Sequence, residues 1–216
     1  MIAYGKSLSL VLLFLGVFAI SQVVFPWVSF KLWEFRGQYE GNTYLTSPQL
    51  TKNQEILGVS IKNKANFSQI VSSATRVKPA SYTRFSLIIP SIKLDNETVY
   101  VDTNDLSHGL VHLPGSALPG EKGNVFVSGH SALPSYIGPK AKALFANLPK
   151  VKKGEKIIIE TEGVIYNYLV DSIKVIDPKD LSVITPPDTQ GRFITLMTCV
   201  PPGFNTKRLI VVGKMI

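Results

Sequence analysis

Lys156-Ile157-Ile158-Ile159-Glu160-Thr161-Glu162-Gly163-Val164-Ile165-Tyr166-Asn167-Tyr168-Leu169-Val170-Asp171 decides the fold. β-Branched and aromatic residues fill both halves, and Glu162-Gly163 stands between them. A two-residue connection of this kind makes a tight hairpin, because its glycine supplies the positive φ that such a turn requires. The same texture runs from Phe85 onward, as short apolar runs separated by Gly, Pro and Asp. About eight strands are expected: Phe85 to Ile89, Thr98 to Val101, Asn124 to Ser128, Lys156 to Thr161, Val164 to Asp171, Ser172 to Ile176, Arg192 to Cys199 and Arg208 to Lys214. Short strands spaced in this way predict an all-β barrel or sandwich. Between the third and fourth, Pro139 to Leu148 carries Lys and Ala with Leu144, Phe145 and Leu148 on one face, which predicts one short packed helix. About 130 residues are enough to bury a stable core without metal or disulfides.

The whole chain has 216 residues, which is one such domain plus attachments. Its composition, 45% hydrophobic and 18% charged, is too apolar for disorder and points to a segment that meets lipid. That segment runs from Ser7 to Phe30, where no residue is charged and 17 of the 23 residues from Leu8 to Phe30 are apolar. A helix of ~20 residues crosses ~30 Å of hydrocarbon, and Trp27 suits an interfacial position. Pro26 is expected to end the helix. A cleaved signal peptide would need a shorter apolar core and a small-x-small cleavage site, and no convincing one is present. Residues 1–36 therefore read as a retained anchor with its flanks. Residues 37–84 are rich in Ser, Thr, Asn, Gln and Lys, with Ile56, Leu57, Val59 and Ile61 scattered among them. They read as a flexible stalk, with at most a short helix or strand from Gln54 to Ile61.

The net charge of +8 resembles a nucleic-acid signal only until it is divided along the chain. Residues 1–84 hold 9 Lys/Arg against 3 Asp/Glu, whereas residues 85–216 hold 14 against 12. The excess sits on the tether, near an anionic membrane surface, and the domain lacks the basic stripe that nucleic acid would require.

A lone cysteine excludes both an internal disulfide framework and a zinc site built from thiolates. Cys199 closes the run Thr195-Leu196-Met197-Thr198-Cys199 and precedes Val200-Pro201-Pro202-Gly203. Proline cannot donate to a central ladder, so the strand stops here and the thiol lies at a barrel rim. A nucleophilic cysteine needs a partner for its proton, because a free thiol is only a few per cent ionised at neutral pH. Of the three histidines, His130 directly follows an apolar strand, whereas His108 and His112 lie in a Gly/Pro-rich loop and His108 reads as a surface residue. Arg208 opens the strand after the Cys199 loop. It is too basic to accept a proton but is a good donor to a developing oxyanion.

Thr195-Leu196-Met197-Thr198-Cys199 followed by Asn205-Thr206-Lys207-Arg208-Leu209 resembles the active-site segment of the sortases, the cysteine transpeptidases of bacterial surfaces. The upstream residues His112-Leu113-Pro114-Gly115-Ser116-Ala117, Pro119-Gly120, Gly123-Asn124 and Gly129-His130 are similar as well, so the likeness spans Ile88 to Gly213. It implies an eight-stranded barrel with one or two short helices as the catalytic domain, residues 85–216, outside the cytoplasmic membrane behind a single-pass anchor. Carried over by position, it makes Cys199 the nucleophile, His130 the general acid/base and Arg208 the residue that positions substrate and stabilises the oxyanion. Thr198 would help shape the substrate groove and oxyanion site. The implied reaction cleaves a C-terminal LPXTG-like sorting signal through a thioester and passes the acyl group to an amine. That amine belongs to a peptidoglycan precursor or to a pilin lysine, so the implied partners are surface proteins or pilins. Neither a cofactor nor a metal is required; were Ca2+ to bind, Glu160, Glu162 and Asp171 are the acidic candidates. Lys6 and the amino terminus on one flank of the anchor balance Lys31 and Arg36 on the other, so the charges leave orientation open. The implied function places the amino terminus inside. The Asn-Thr-x-Arg-Leu segment resembles pilin-polymerising members, but no Asp-Pro-aromatic lid motif precedes the barrel. Two other readings compete. One is an L,D-transpeptidase, whose histidine directly precedes its cysteine, whereas here the two stand 69 positions apart. The other is a tethered binding barrel with an inert cysteine.

Overall fold

The computed structural model describes residues 3–39, 58–64, 67–76, 78–132, 142–202 and 205–216. The chain divides into two units, Met1–Gly41 and Asn42–Ile216. The first is helix α1, Ala3–Tyr39. Its window Ser9–Ser29 has mean hydropathy 2.2 and is long and apolar enough to cross a membrane. The helix does not end at Pro26 as expected. A proline removes one backbone donor, a local cost that a helix of 37 residues absorbs when both flanks keep their bonds.

In the second unit the described strands are β1 (Val59–Lys64), β2 (Phe67–Ser72), β3 (Arg84–Ile89), β4 (Leu94–Tyr100), β5 (Leu110–His112), β6 (Gly123–Ser128), β7 (Lys156–Thr161), β8 (Val164–Ile176), β9 (Arg192–Val200) and β10 (Lys207–Met215). Among them β3 to β10 close into a barrel in the order β10-β8-β7-β3-β4-β5-β6-β9, and β1 and β2 pair separately. The expected hairpin is present. Thr161 pairs with Val164 across Glu162 and Gly163, whose φ values of 48° and 78° give the twist that adjoining strands favour. The two strands expected from Val164 to Ile176 are one continuous strand, bent by an irregularity opposite Val212 and Gly213.

Two departures matter for the site. Leu110–His112, expected as loop, is a strand, parallel to β4 and antiparallel to β6. Three residues are too short to show a period, so only the pairing reveals it. The helix expected from Pro139 to Leu148 is not formed where the chain is described. Its first three residues lie outside the described ones, and the remainder makes turns leading into a 3-10 turn, Leu148–Lys150. Phe145 and Leu148 are nevertheless fully buried, so apolar spacing correctly marked the inward side chains.

Burial alternates cleanly along β3 and β7, where Phe85, Leu87, Ile89, Ile157 and Ile159 point into the barrel. Following the register from strand to strand puts Val211, Leu196 and Val127 inside with them. The outer face of β6, β9 and β10 carries Asn124, Phe126, Thr195, Met197, Cys199, Arg208 and Ile210, and it too is covered. Phe126, Met197 and Ile210 join one apolar cluster with Val59 and Ile70 of the first hairpin and Val183 of the β8–β9 connection.

The segment expected as a stalk is therefore partly structured. Ile61 pairs with Ile70, and Val59, Ile70 and Val71 are buried. The apolar residues show no period in one strand alone because the covered face is shared by two strands. Asn104 also fastens this hairpin: its Oδ1 accepts from the Ser72 N–H at 3.0 Å and its Nδ2 donates to the Ser72 carbonyl at 2.9 Å. Beyond it Arg76 pairs with Asp102 at 2.9 Å and donates to the Ser116 carbonyl. Of the expected stalk, residues 40–57, 65–66 and 77 lie outside the described residues.

Candidate active site

Strand direction brings the three expected residues to one rim. β6 and β9 run parallel as neighbours, so their carboxyl ends coincide; β10 is antiparallel to β9, so its amino end joins them. His130 lies two residues beyond the end of β6, Cys199 is the penultimate residue of β9, and Arg208 is the second residue of β10. β9 stops before Pro201, as the missing proline donor requires.

Cys199 and Arg208 are direct partners in the β9–β10 ladder. Opposed residues project from the same face with Cβ atoms ~5 Å apart, which sets the guanidinium beside the thiol. Arg208 Nη1 donates to the carbonyls of Asn205 and Lys207, each at 3.0 Å, so the same side chain shapes the returning loop. The site is more enclosed than a rim position suggested: Cys199 is 5% exposed, His130 6% and Arg208 1%. Burial pushes the Cys199 thiol up to about 11, and the Arg208 charge only partly offsets it. Burial also lowers the His130 imidazole below its ordinary value. Both groups therefore rest neutral near pH 7.

The segment before His130 is pinned from three sides. The Gly129 N–H donates to the Met197 carbonyl at 3.1 Å, and the His130 carbonyl accepts from the Phe145 N–H at 3.0 Å. Thr198 Oγ1 donates to the Gly129 carbonyl at 2.8 Å. Gly129 allows the close approach: a Cβ there would stand 2.5 Å from Leu110 Cδ2 and 2.7 Å from Phe145 Cδ2, so those side chains would have to shift. The Thr198 hydroxyl, expected to help shape the substrate groove and oxyanion site, is engaged in this bond. Alternation puts that side chain on the face of β9 opposite Cys199, where its hydroxyl is used to tie β9 to the His130 segment.

A sortase-domain family model matches residues 87–216, from within β3 through the end of β10. The chain belongs to the sortase family. Sortase A of Listeria monocytogenes is 28% identical over 97% of this chain and 90% of its own length. Sortase D of Bacillus subtilis is 26% identical over 94% and 96%. Among solved structures, a lid mutant of sortase A from Corynebacterium diphtheriae superposes with TM-score 0.55 at 37% identity, covering 62% of this chain and 70% of that one. Sortases are cysteine transpeptidases, which sets aside the L,D-transpeptidase reading.

Elsewhere in this sortase the remaining candidates serve other ends. His112 is fully buried at the end of β5. Its Nε2 lies 2.8 Å from Ser116 Oγ and 2.9 Å from the Ala117 carbonyl, and its Nδ1 lies 3.4 Å from Asp102. It holds the β5–β6 connection together. His108 closes a 3-10 turn, Leu106–His108. Among the described residues no group of three or more His, Cys, Asp or Glu side chains converges as a metal site. Glu160 and Glu162 instead line an open cleft of about 310 Å3 with Arg84, Ser86 and Thr98. That cleft lies on the β3, β4 and β7 side of the barrel, away from the cysteine. Asn124 and Thr195, which the sequence places in strands without a role, bond to each other at 2.9 Å on the Cys199 face. Nothing in the sequence announces the partner of an asparagine at a strand start.

Proposed function

We propose that this sortase is held in the bacterial cytoplasmic membrane by α1, cleaves an LPXTG-like sorting signal outside the cell and transfers the acyl group to an amine. The observation that carries the assignment of roles is the convergence of His130, Cys199 and Arg208 at one rim of three adjoining strands. Since thiol and imidazole rest neutral, the Cys199 proton passes to His130 as the sulfur attacks the Thr carbonyl carbon of the signal. Arg208 donates to the oxygen on which negative charge develops. The Thr-Gly C–N bond then breaks, and His130 delivers its proton to the departing amine. A second amine attacks the thioester, gives its proton to His130, and the released thiolate recovers that proton. The atoms and charges of these two acyl transfers balance with the chain's own groups and the incoming amine.

Surface proteins or pilins bearing the signal are the proposed donors, and a peptidoglycan precursor or a pilin lysine is the proposed acceptor. Cleavage of an LPXTG-type peptide by the purified protein, followed by mass spectrometry with and without an added amine, tests the reading. Wild type should release the C-terminal fragment and form the amide when amine is present. His130→Gln should fold normally and lose most turnover. Near-normal cleavage by that variant would remove His130 from the proton transfers. The enclosure of Cys199 is the observation that favours an inert cysteine, and absence of cleavage from every peptide offered would support that reading instead.

A further inference from the structure

Ser131 follows His130 directly and is 4% exposed, enclosed at the end of β6 that carries the histidine. Its Oγ is buried and has no hydrogen-bond partner among the described residues. The buried hydroxyls on the neighbouring strand β9 differ: Thr195 Oγ1 donates to Asn124 at 2.9 Å and Thr198 Oγ1 to the Gly129 carbonyl at 2.8 Å. A hydroxyl has one donor and two acceptor positions, and enclosing it with none of them used costs stability. Folding therefore gains nothing from the Ser131 hydroxyl. A ligand that enters the site does account for it, because the ligand brings the missing partner.

Strand order says which part of the reaction that ligand belongs to. β9 lies between β6 and β10, so His130 and Arg208 approach Cys199 from opposite sides. The developing oxyanion belongs on the Arg208 side, and the nitrogen that exchanges a proton with the imidazole belongs on the His130 side. The departing amine and the incoming one share that place, since the second acyl transfer retraces the first. A primary amine attacking the thioester has two N–H groups. One proton goes to His130; the other N–H needs an acceptor, and the residue beside His130 supplies an oxygen. The departing amine is carried into position by the rest of its peptide, whereas a free acceptor is held only by the contacts it makes itself.

We infer that Ser131 is an acceptor-binding residue, whose hydroxyl oxygen accepts one N–H of the incoming primary amine while His130 takes the other proton. The inference rests on the transpeptidase reading above and names the side of the cysteine on which the acceptor is received.

The test follows the two fates of the thioester on the full chain, with an LPXTG-type peptide and either Nα-acetyl-lysine amide or triglycine as acceptor. The ratio of amide to free acid depends on those fates alone, whatever the rate of acylation. Ser131→Ala should lower this ratio ~3- to 10-fold at subsaturating amine and raise the half-saturating amine concentration by the same factor, the worth of one hydrogen bond. Cleavage without amine should hold within ~2-fold, because water, as the solvent, needs no contact to be present. The melting temperature should stay level or rise, since a buried hydroxyl without a partner has been removed. Ser131→Gly removes the same hydroxyl and should show the same ratio, which keeps the test standing if the alanine variant does not fold. A role confined to placing His130 slows attack by water and amine alike, so an unmoved ratio in the folded variants overturns the inference. Wild type that forms the amide, with variants that form it equally well, defeats only this inference; wild type that forms no amide with either amine defeats the transfer step proposed above and this inference with it.

Discussion

Arg208 faces Cys199 across the β9–β10 ladder as its direct partner, so a guanidinium and a thiol separated by eight residues of chain leave the sheet side by side. The relationship is set by register, not by loop conformation. It persists through any motion that leaves the ladder intact. The partners differ in chemistry: the arginine brings a fixed charge and a planar set of donors, and the cysteine brings a proton that burial makes hard to remove.

Replacement of the arginine tests the donor role. Arg208→Ala should lower kcat/KM by ~10²- to 10³-fold, the cost of removing one donor from a developing oxyanion. Arg208→Lys should recover little of this, since an ammonium lacks the planar fork that lets one nitrogen hold the Asn205 and Lys207 carbonyls while the others remain to donate elsewhere. A lysine variant with wild-type kinetics would reduce Arg208 to a structural residue.

The pH dependence of thiol alkylation follows from burial. Because the Cys199 thiol is raised to about 11, mainly by desolvation, the thiolate is a small fraction near neutrality. The rate with iodoacetamide should therefore climb ~10-fold per pH unit across the neutral and mildly alkaline range. Arg208→Gln should lower the rate further, because the one opposing charge is gone. A plateau beginning near pH 7 would show a thiol already ionised.

Gly129→Ala should shift His130 without touching it. The added methyl meets Leu110 and Phe145, both fully buried, and such overpacking costs ~1 to 3 kcal/mol. Both a lowered melting temperature and a lowered kcat are expected. Unchanged kcat in the folded variant would show that the His130 segment tolerates displacement.

Removing the first hairpin should expose the face it covers. A protein that begins at Phe85 lacks Val59 and Ile70 and leaves Phe126, Met197 and Ile210 less protected than one that begins at Gly58. Burial of two or three aliphatic side chains corresponds to a melting difference on the order of 10 °C, with increased binding of a hydrophobic dye. Equal melting temperatures would show that the hairpin adds nothing to the barrel.

The barrel was legible in sequence because strands such as β7, Lys156–Thr161, are inward-facing on one side only and punctuated by a two-residue turn. The rim placement of Cys199 and His130 was legible because a strand end is marked by its own neighbours: Pro201 after the cysteine and Gly129 before the histidine. Less was readable where meaning comes from a distant partner. Ile61 and Ile70 meet only once β1 pairs with β2, Leu110–His112 is a strand only by its neighbours, and the Thr198 hydroxyl finds its partner only in the Gly129 carbonyl. The enclosure of Cys199 was unreadable for the same reason, since the covering residues belong to other segments.

The central claim is that Cys199 carries the acyl group, and intact-mass spectrometry of the full chain during turnover of an LPXTG-type peptide tests it most directly. Wild type should gain the mass of the peptide fragment ending in Thr, on Cys199 and labile to hydroxylamine, and Cys199→Ala should gain nothing. An adduct of that mass on Cys199→Ala, or turnover by that variant at the wild-type rate, would contradict the account.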